Sequence, residues 1–293
     1  MADVKKRLPN NVPGSFFVDS TCINCDTCRQ LAPASFVDAD DASMVCQQPE
    51  TRSERFKAYQ ALLACPVGCI GASASDSTLL HEANGSFPLQ MDGPVHYCGF
   101  NSAKSFGANS YFIRHPEGNW LIDSPRYLKR LLAWFEQAGG IRYIFLTHED
   151  DVAEADRYAR HFGATRIIHR ADVRAQPEAE WVIDGEARVQ AGPEFLIIPT
   201  PGHTPGSMVL LHQERHLFTG DHMWWDREDR ELQIPRARVS SREALIRSTE
   251  GLLAYSFEWV LPGHGERIEL PLPRMREELR RLLATRSGVL LRT

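Results

Sequence analysis

Short apolar runs alternate with stretches of helical spacing over most of the chain after residue 90. Apolar runs bounded by Gly, Pro or charged turns are typical of strands, and apolar residues three and four positions apart are typical of helices. The runs predict strands at 95–97, 110–113, 119–123, 143–146, 166–168, 195–198, 208–212, 217–219 and 259–261. Alternating strands and helices predict a layered αββα or similar α/β architecture for this part of the chain.

Two of the predicted helices have recognisable start signals. Ser124 and Pro125 supply a hydroxyl cap and a proline suited to the first helical turn. Ser240 with Glu243 forms a capping box for a later helix that ends at Tyr255. Two further helices are predicted, one ending at Arg160 and one at about 273–285.

Composition places the chain among ordinary globular proteins with room for two domains. It has 293 residues, of which 43% are hydrophobic and 24% charged, with a net charge of -5 and a pI near 6.1. No basic block indicates nucleic-acid binding, and no apolar run approaches the roughly 18 residues of a membrane span. Residues 1–13 lack the apolar core of a secretion signal, so we expect a flexible N-terminus and a cytoplasmic protein.

The cysteines are concentrated in the first quarter of the chain. Cys22, Cys25 and Cys28 follow one another at intervals of three, and Cys65 is followed by Pro66 after a predicted helix over 50–64. Three closely spaced thiols and a distant Cys-Pro suit an iron–sulfur cluster, and a zinc site built from the same four thiols is the alternative. Cys46, Cys69 and Cys98 have no motif role, although Cys69 could in principle replace Cys65.

The segments FVDSTCINCDTCRQLAP and LLACPVGCIG closely resemble single-cluster bacterial ferredoxins. The resemblance implies a small βαββαβ ferredoxin-like domain over 14–76 that holds one [4Fe–4S] cluster. By position, it assigns Cys22, Cys25, Cys28 and Cys65 as the cluster ligands. A Ser-, Ala- and Asp-rich stretch then predicts a linker at 77–84 before a second domain at 85–293.

Histidines and aspartates of the second domain follow predicted strands. The motifs THEDD, PGHTPGS…TGDH and LPGHG come in this order, and together they resemble the metallo-β-lactamase fold, an αββα sandwich. The resemblance implies that His148, His203, Asp221 and His264 are metal ligands, with Asp221 shared by two metals.

The first motif departs from the family pattern because Asp150 stands where the second histidine belongs. One metal would then keep His148, Asp150, His203 and Asp221, and a second would have Asp221, His264 and either Asp151 or Glu154. Carboxylates in place of imidazoles shift the preference from zinc toward iron or manganese. One metal, two metals and an empty pocket all stay open, as does a helix-capping role for Asp150 or Asp151.

Three functions are consistent with this pair of domains. The favoured hypothesis is a metal-dependent hydrolase of small-molecule esters, thioesters, amides or phosphodiesters, with Asp151 or Glu154 as the base. The second is an iron-dependent oxidoreductase in which the cluster passes electrons to the second domain, which adds a redox partner protein. The third is a binding protein with an empty metal pocket. Neither nucleic acid nor a membrane is expected as a partner.

Overall fold

The computed structural model describes residues 2–290, with side chains as far as Thr285. The chain divides into two compact units after Gly140, inside the predicted second domain of 85–293. The predicted end of that domain, Thr293, lies outside the described residues. Each helix in the described part of the chain is too short or too polar to cross a bilayer.

The first unit begins with the βαββαβ order that the sequence predicted. The elements are β1 (Phe16–Val18), α1 (Thr27–Leu31), β2 (Phe36–Asp38), β3 (Ser43–Val45), α2 (Arg52–Ala64) and β4 (Ile70–Ala72). β1 pairs antiparallel with β4, and β2 with β3. Thr51 and Glu54 form a capping box at the start of α2, which explains why that helix begins there.

The predicted flexible N-terminus is instead packed against this fold. Asn11 is buried, and its side-chain oxygen accepts hydrogen bonds from the backbone N–H groups of Val18 and Val45, both at 3.0 Å. Its Nδ2 donates to the carbonyl oxygens of Leu8 and Val18, both at 2.8 Å. Composition alone does not reveal such bonds, and they fix the segment before β1 to two strands.

The predicted linker at 77–84 is a helix. α3 (Ser77–Ser86) starts at Asp76, whose carboxylate accepts a hydrogen bond from Leu79 N at 3.0 Å. Leu79 and Ala83 are buried in the same apolar cluster as β1 and α2. The polar composition therefore marks the outer face of a packed helix rather than a loose connection.

The rest of the first unit is an antiparallel meander followed by a helix. It consists of β5 (Leu89–Asp92), β6 (Val95–Tyr97), β7 (Tyr111–Ile113), β8 (Trp120–Ile122) and α4 (Lys129–Gln137). The predicted start of α4 at Ser124 and Pro125 is wrong. Arg126 N donates to Phe100 O at 2.9 Å and Arg126 Nη2 to Leu63 O at 2.5 Å, so tertiary bonds hold these residues outside the helix.

The second unit contains a parallel three-stranded segment and a mixed six-stranded sheet. The parallel strands are β9 (Tyr143–Phe145), β10 (Thr165–His169) and β11 (Trp181–Ile183), with α5 (Ala155–Phe162) between the first two. The sheet contains β12 (Val189–Gln190), β13 (Phe195–Pro199), β14 (Met208–His212), β15 (His216–Gly220), β18 (Trp259–Pro262) and β19 (Ile268–Glu269), in that order. The Trp- and Arg-rich stretch after β15 includes a hairpin of β16 (Trp224–Asp226) and β17 (Glu231–Gln233).

Two helices pack on the six-stranded sheet. α6 (Arg242–Gly251) and α7 (Leu272–Leu290) bury Leu245, Met275 and Leu279 against the sheet residues Val209 and Val260. The predicted cap of α6 is off by one residue. Ser241 Oγ accepts the capping bond from Ala244 N, because the Ser240 hydroxyl donates instead to Gly202 O at 2.9 Å.

Candidate metal centres

The four cysteines predicted as cluster ligands line one small pocket in the first unit. Cys22 and Cys25 precede α1, Cys28 lies within it, and Cys65 is the C-terminal cap of α2. Apolar side chains from β1 and β4 complete the lining. The fold therefore brings together the thiols that the spacing singled out.

The arrangement of these thiols favours an iron–sulfur cluster over a zinc site. Tetrahedral zinc with Zn–S bonds of about 2.3 Å holds its sulfurs about 3.8 Å apart. In the described residues, groups of three or more metal-binding side chains with donor atoms within 4.8 Å of one another contain histidine and aspartate and no cysteine. The wider spacing suits the corners of an iron–sulfur cube, which Cys22, Cys25, Cys28 and Cys65 would hold.

A segment beyond the ferredoxin-like fold covers the cluster-binding loop. Asn101 Nδ2 donates to Thr27 Oγ1 at 3.0 Å and to Gly107 O at 2.7 Å, and all three residues belong to the first unit. Gly107 lies so close to Cys25 that a Cβ at this position would be 3.0 Å from Cys25 Sγ. Residues 101–107 therefore shield Cys25 on this side.

The predicted metal ligands of the second unit meet in two groups that share Asp221. His148, His203 and Asp221 form the first group, and Asp151, Asp221 and His264 form the second. The Nε2 atoms of His148 and His203 lie 3.8 and 3.7 Å from Asp221 Oδ2. His264 Nε2 lies 4.0 Å from the same oxygen and 3.9 Å from Asp151 Oδ1. One carboxylate between two such groups can bridge two neighbouring cations.

The segment after β9 places His148 and the two aspartates that follow it. Thr147 Oγ1 lies 3.0 Å from His148 Nδ1, so Nδ1 is engaged and Nε2 is directed at the first group. A short 3-10 helix, Glu149–Asp151, then turns the chain and places Asp150 and Asp151 in succession. The metal-binding atoms of His148 and the two aspartates thus come from one short segment.

Asp172 joins the two loops that carry the first group, and no sequence motif pointed to it. The residue is fully buried in a 3-10 helix after β10. Its carboxylate accepts hydrogen bonds from Glu149 N at 3.1 Å, Thr204 Oγ1 at 2.5 Å and Gly206 N at 2.9 Å. Asp172 therefore fixes the residues next to His148 and His203 to one anchor.

Two parallel strands place Asp221 and His264 at the same edge of the sheet. Asp221 follows β15 and His264 follows β18, and these strands are neighbours. Gly263 N donates to Gly220 O at 2.8 Å, which holds the two strand ends together. A Cβ on Gly263 would lie 2.7 Å from Asp151 Oδ2 and 2.9 Å from Asp221 Oδ1. Only glycine leaves room for both carboxylates.

The three carboxylates of the first motif have different surroundings. Asp150 is 65% exposed, and its Oδ2 lies 3.6 Å from His203 Nε2, beside the first group. Asp151 is 1% exposed and belongs to the second group. Glu154 lies outside both groups, and its carboxylate is 3.3 Å from Arg157 Nη1. Neither aspartate caps α5, whose N-cap residue is Glu154 without a side-chain capping bond.

Burial and charge compete at the shared aspartate and its neighbours. Burial by itself raises the pKa of the Asp221 carboxyl, but His264, His148 and His203 together outweigh it and hold that pKa below its usual value. Burial lowers the pKa of His148 more than Asp221 raises it. The first effect favours the carboxylate form of Asp221 and the second the neutral form of His148, which are the protonation states in which these groups ligate metals.

The polar atoms in these groups fit a metal ion. His148 Nε2, His203 Nε2 and Asp221 Oδ1 are buried without a hydrogen-bond partner in the described structure. Buried polar atoms are otherwise nearly always satisfied. A cation would satisfy all three, and imidazole with carboxylate is a donor set for zinc, iron or manganese.

His222, next to Asp221, belongs to neither group. Its Nε2 lies 3.1 Å from Thr249 Oγ1, and Thr249 Oγ1 donates to Leu245 O at 2.8 Å. The histidine must therefore donate to Thr249, which fixes its tautomer. Burial, with a smaller contribution from His203, lowers the pKa of His222 to about 4. His222 is therefore a neutral side chain anchored to α6 through Thr249.

Comparison with protein-family models identifies both parts of the chain. Residues 90–279 match the model of the metallo-beta-lactamase superfamily. The chain belongs to the metallo-beta-lactamase superfamily. Residues 18–72 match the 4Fe-4S single cluster domain of ferredoxin I, so this superfamily member carries a fused ferredoxin domain. The two resemblances seen in the sequence are both confirmed.

Curated relatives cover parts of the chain. A hydroxyacylglutathione hydrolase of Anaeromyxobacter dehalogenans is 40% identical over 88 residues, 29% of this chain and 33% of that protein. One of Citrobacter koseri is 31% identical over 125 residues, 41% of this chain and 49% of that protein. The chain thus spans a third to a half of the length of these relatives.

Solved structures agree on the fold. DIM-1 metallo-beta-lactamase has a TM-score of 0.51 at 16% identity, covering 67% of this chain and 95% of that one. A metallo-beta-lactamase from Hirschia baltica has a TM-score of 0.50 at 16% identity, covering 68% and 96%. At this identity the likeness concerns the fold alone, and it supports the predicted metallo-β-lactamase architecture.

Proposed function

We propose that this chain is a metal-dependent hydrolase of small-molecule acyl compounds, with the ferredoxin domain holding one [4Fe–4S] cluster. The observation that carries the proposal is the pair of His/Asp groups sharing Asp221. Such convergence argues against an empty, degenerate pocket, because buried donors without partners are costly unless a cation engages them.

We assign the groups to two cations of the zinc, iron or manganese class. His148, His203 and Asp221 would hold one, with Asp150 beside it, and Asp151, Asp221 and His264 would hold the other. Bound metal ions polarise a carbonyl oxygen and lower the pKa of water to near 7. Asp172 and Thr147 keep the first group in place through the hydrogen bonds described above.

Asp150 is the carboxylate best placed to handle a proton. Most of it faces solvent, and Oδ2 is near His148 and His203 at 3.8 and 3.6 Å. A general base must reach both the site and water. Asp151, one of the two bases that the sequence suggested, lies within the second group and is better suited as a ligand. Glu154, the other candidate, is beside Arg157.

The substrate class we propose is a thioester of a small hydroxy acid. Support comes from the two relatives named hydroxyacylglutathione hydrolase, which match part of this chain. The three carboxylates of the site are compatible with thioester hydrolysis, because the reacting carbonyl group is neutral and is not repelled by negative charge.

An assay of hydroxyacylglutathione hydrolysis by the metal-loaded protein tests this proposal. The reaction is monitored through the thiol that it releases. Asp150→Asn should reduce kcat about 10²- to 10⁴-fold with unchanged metal content, as expected for the loss of a general base. Asp151→Asn should lower the metal content of the second unit instead. Turnover at the parent rate by Asp150→Asn would remove that assignment, and absence of thiol release by the parent would remove the substrate class.

An iron-dependent oxidoreductase is the second candidate. The observation that favours it is the ligand set, in which three carboxylates stand with three imidazoles and favour a harder metal than zinc. Metal analysis of anaerobically purified protein separates the two candidates. About four irons with zinc that is lost in His148→Ala/His203→Ala favours hydrolysis, whereas iron lost from the second unit in that variant favours redox chemistry.

A further inference from the structure

Five thiols line the cluster pocket, although a [4Fe–4S] cluster needs only four ligands. The fifth belongs to Cys69, which is 3% exposed and has no assigned role. Cys69 Sγ lies 3.5 Å from Cys65 Sγ, within the distance of a hydrogen bond between sulfurs. The Cys69 backbone is fixed, since its carbonyl oxygen accepts a hydrogen bond from Asp19 N at 2.9 Å.

We propose that Cys69 is not a ligand but a buried thiol that donates a hydrogen bond to the ligand sulfur of Cys65, and so raises the reduction potential of the cluster. The proposal rests on the assignment of a [4Fe–4S] cluster to this pocket. It does not depend on what the second unit catalyses.

Electrostatics decides which sulfur keeps its proton. The four ligand sulfurs must be thiolates to bind iron. A fifth thiolate within 3.5 Å of one of them, in a pocket lined by Val18 and Ile70, would add an unpaired charge next to like charges. Cys69 therefore stays a thiol, and the Cys65 thiolate accepts its S–H in a hydrogen bond.

The effect on potential follows from charge. Reduction adds one electron to the cluster, and no bond to iron forms or breaks. A hydrogen bond to a ligand sulfur stabilises the more negative, reduced cluster more than the oxidised one, so the potential rises. Removing the donor should make the cluster harder to reduce.

The test compares Cys69→Ala and Cys69→Ser in the full-length protein, with Cys46→Ala as the control. Cys46 is a free thiol of the same fold that does not line the pocket. All four proteins are first assayed for iron and sulfide, and Cys65→Ala, which should lose its iron, is assayed beside them. Midpoint potentials are then measured by EPR-monitored titration, and exchangeable protons near the reduced cluster are measured by ENDOR in H₂O and D₂O.

We expect about four irons in each of the four proteins, a more negative midpoint potential in Cys69→Ala, and a parent-like potential in Cys46→Ala. Cys69→Ser keeps a donor and should restore part of the shift. One exchangeable proton coupling should disappear in Cys69→Ala alone. These readouts report on the cluster itself and require no catalytic assay.

Three results would overturn the proposal. A Cys69→Ala potential equal to that of the parent removes the hydrogen bond's effect. Loss of iron in both Cys69 variants while Cys65→Ala retains it makes Cys69 a ligand in place of Cys65. Loss of iron in both Cys69 variants and in Cys65→Ala assigns Cys69 a structural role. Absence of iron in the parent would instead refute the cluster assignment.

Discussion

Single residues set the spacing of the metal groups in the second unit. Gly263 is the clearest case, because two carboxylate oxygens, one from Asp151 and one from Asp221, lie next to the position that a Cβ atom would take. A methyl group there would overlap both. Displacing these oxygens would disturb the second group directly, and the first group only through the shared Asp221.

Gly263→Ala should therefore cost the second cation and spare the first. We expect metal analysis of the purified variant to show one metal fewer in the second unit, with no change in iron held by the cluster. Gly251→Ala is the matched control, because a Cβ there meets nothing within 4 Å and Gly251 lies in α6. Metal content equal to the parent in both variants would contradict the packing argument.

Sequence motifs pointed to the candidate ligands but not to the residues that hold them in place. The resemblance to the metallo-β-lactamase fold implied His148, His203, Asp221 and His264 as metal ligands, and the structure brings these side chains together. Asp151 was predicted as a base or a ligand and lies in the second group. Asp172 could not be predicted, because its three bonds join loops that are adjacent only after folding. Ligands carry a local signature, whereas their anchors are defined by tertiary contacts.

At the scale of elements, the apolar runs predicted the strands well. Capping residues and composition predicted the helix start at Ser124 and the flexible N-terminus less well. The strands over 95–97 and 208–212 have the bounds observed for β6 and β14. Ser124–Pro125 failed as a helix start because Arg126 is bound to Phe100 and Leu63. Residues 1–13 failed as a flexible segment because Asn11 bonds to β1 and β3. Long-range hydrogen bonds overrode the local signals in both cases.

Replacing Asn11 by Ala tests whether the N-terminal segment is part of the ferredoxin fold. The change leaves the buried N–H groups of Val18 and Val45 without their acceptor. Each such group costs about 1–3 kcal/mol, so the cluster domain should melt at a lower temperature. Loss of the cluster's visible absorbance on heating measures this. Asn10→Ala, at an exposed neighbouring position, should melt like the parent, and equal melting of all three proteins would restore the flexible interpretation.

At the scale of the whole molecule, the loop that carries Cys25 is covered by residues from outside the ferredoxin-like fold. Asn101 and Gly107, which follow β6, contact Thr27 and Cys25 within the first unit. The family model for the cluster domain ends at residue 72, and that for the superfamily domain begins at residue 90. The wall over Cys25 thus comes from the sequence of the second family, which indicates that the two families are integrated in this chain rather than only tethered.

Gly107→Ala in the full-length protein tests this integration. Gly107 has a φ of +92°, and a Cβ there would lie 2.7 Å from Cys25 Cβ and 3.0 Å from Pro66 Cγ, so the 101–107 segment must move away from the cluster. Oxygen and water should then reach the cluster more easily, and its absorbance should bleach several-fold faster in air.

Gly93→Ala controls for backbone strain, since Gly93 also has a positive φ, +50°, but nothing lies within 4 Å of its added Cβ. Faster bleaching in Gly107→Ala alone means that the superfamily segment protects the cluster. Equal bleaching in the two variants would show that strain, not loss of shielding, is responsible, and that the ferredoxin fold protects its cluster unaided.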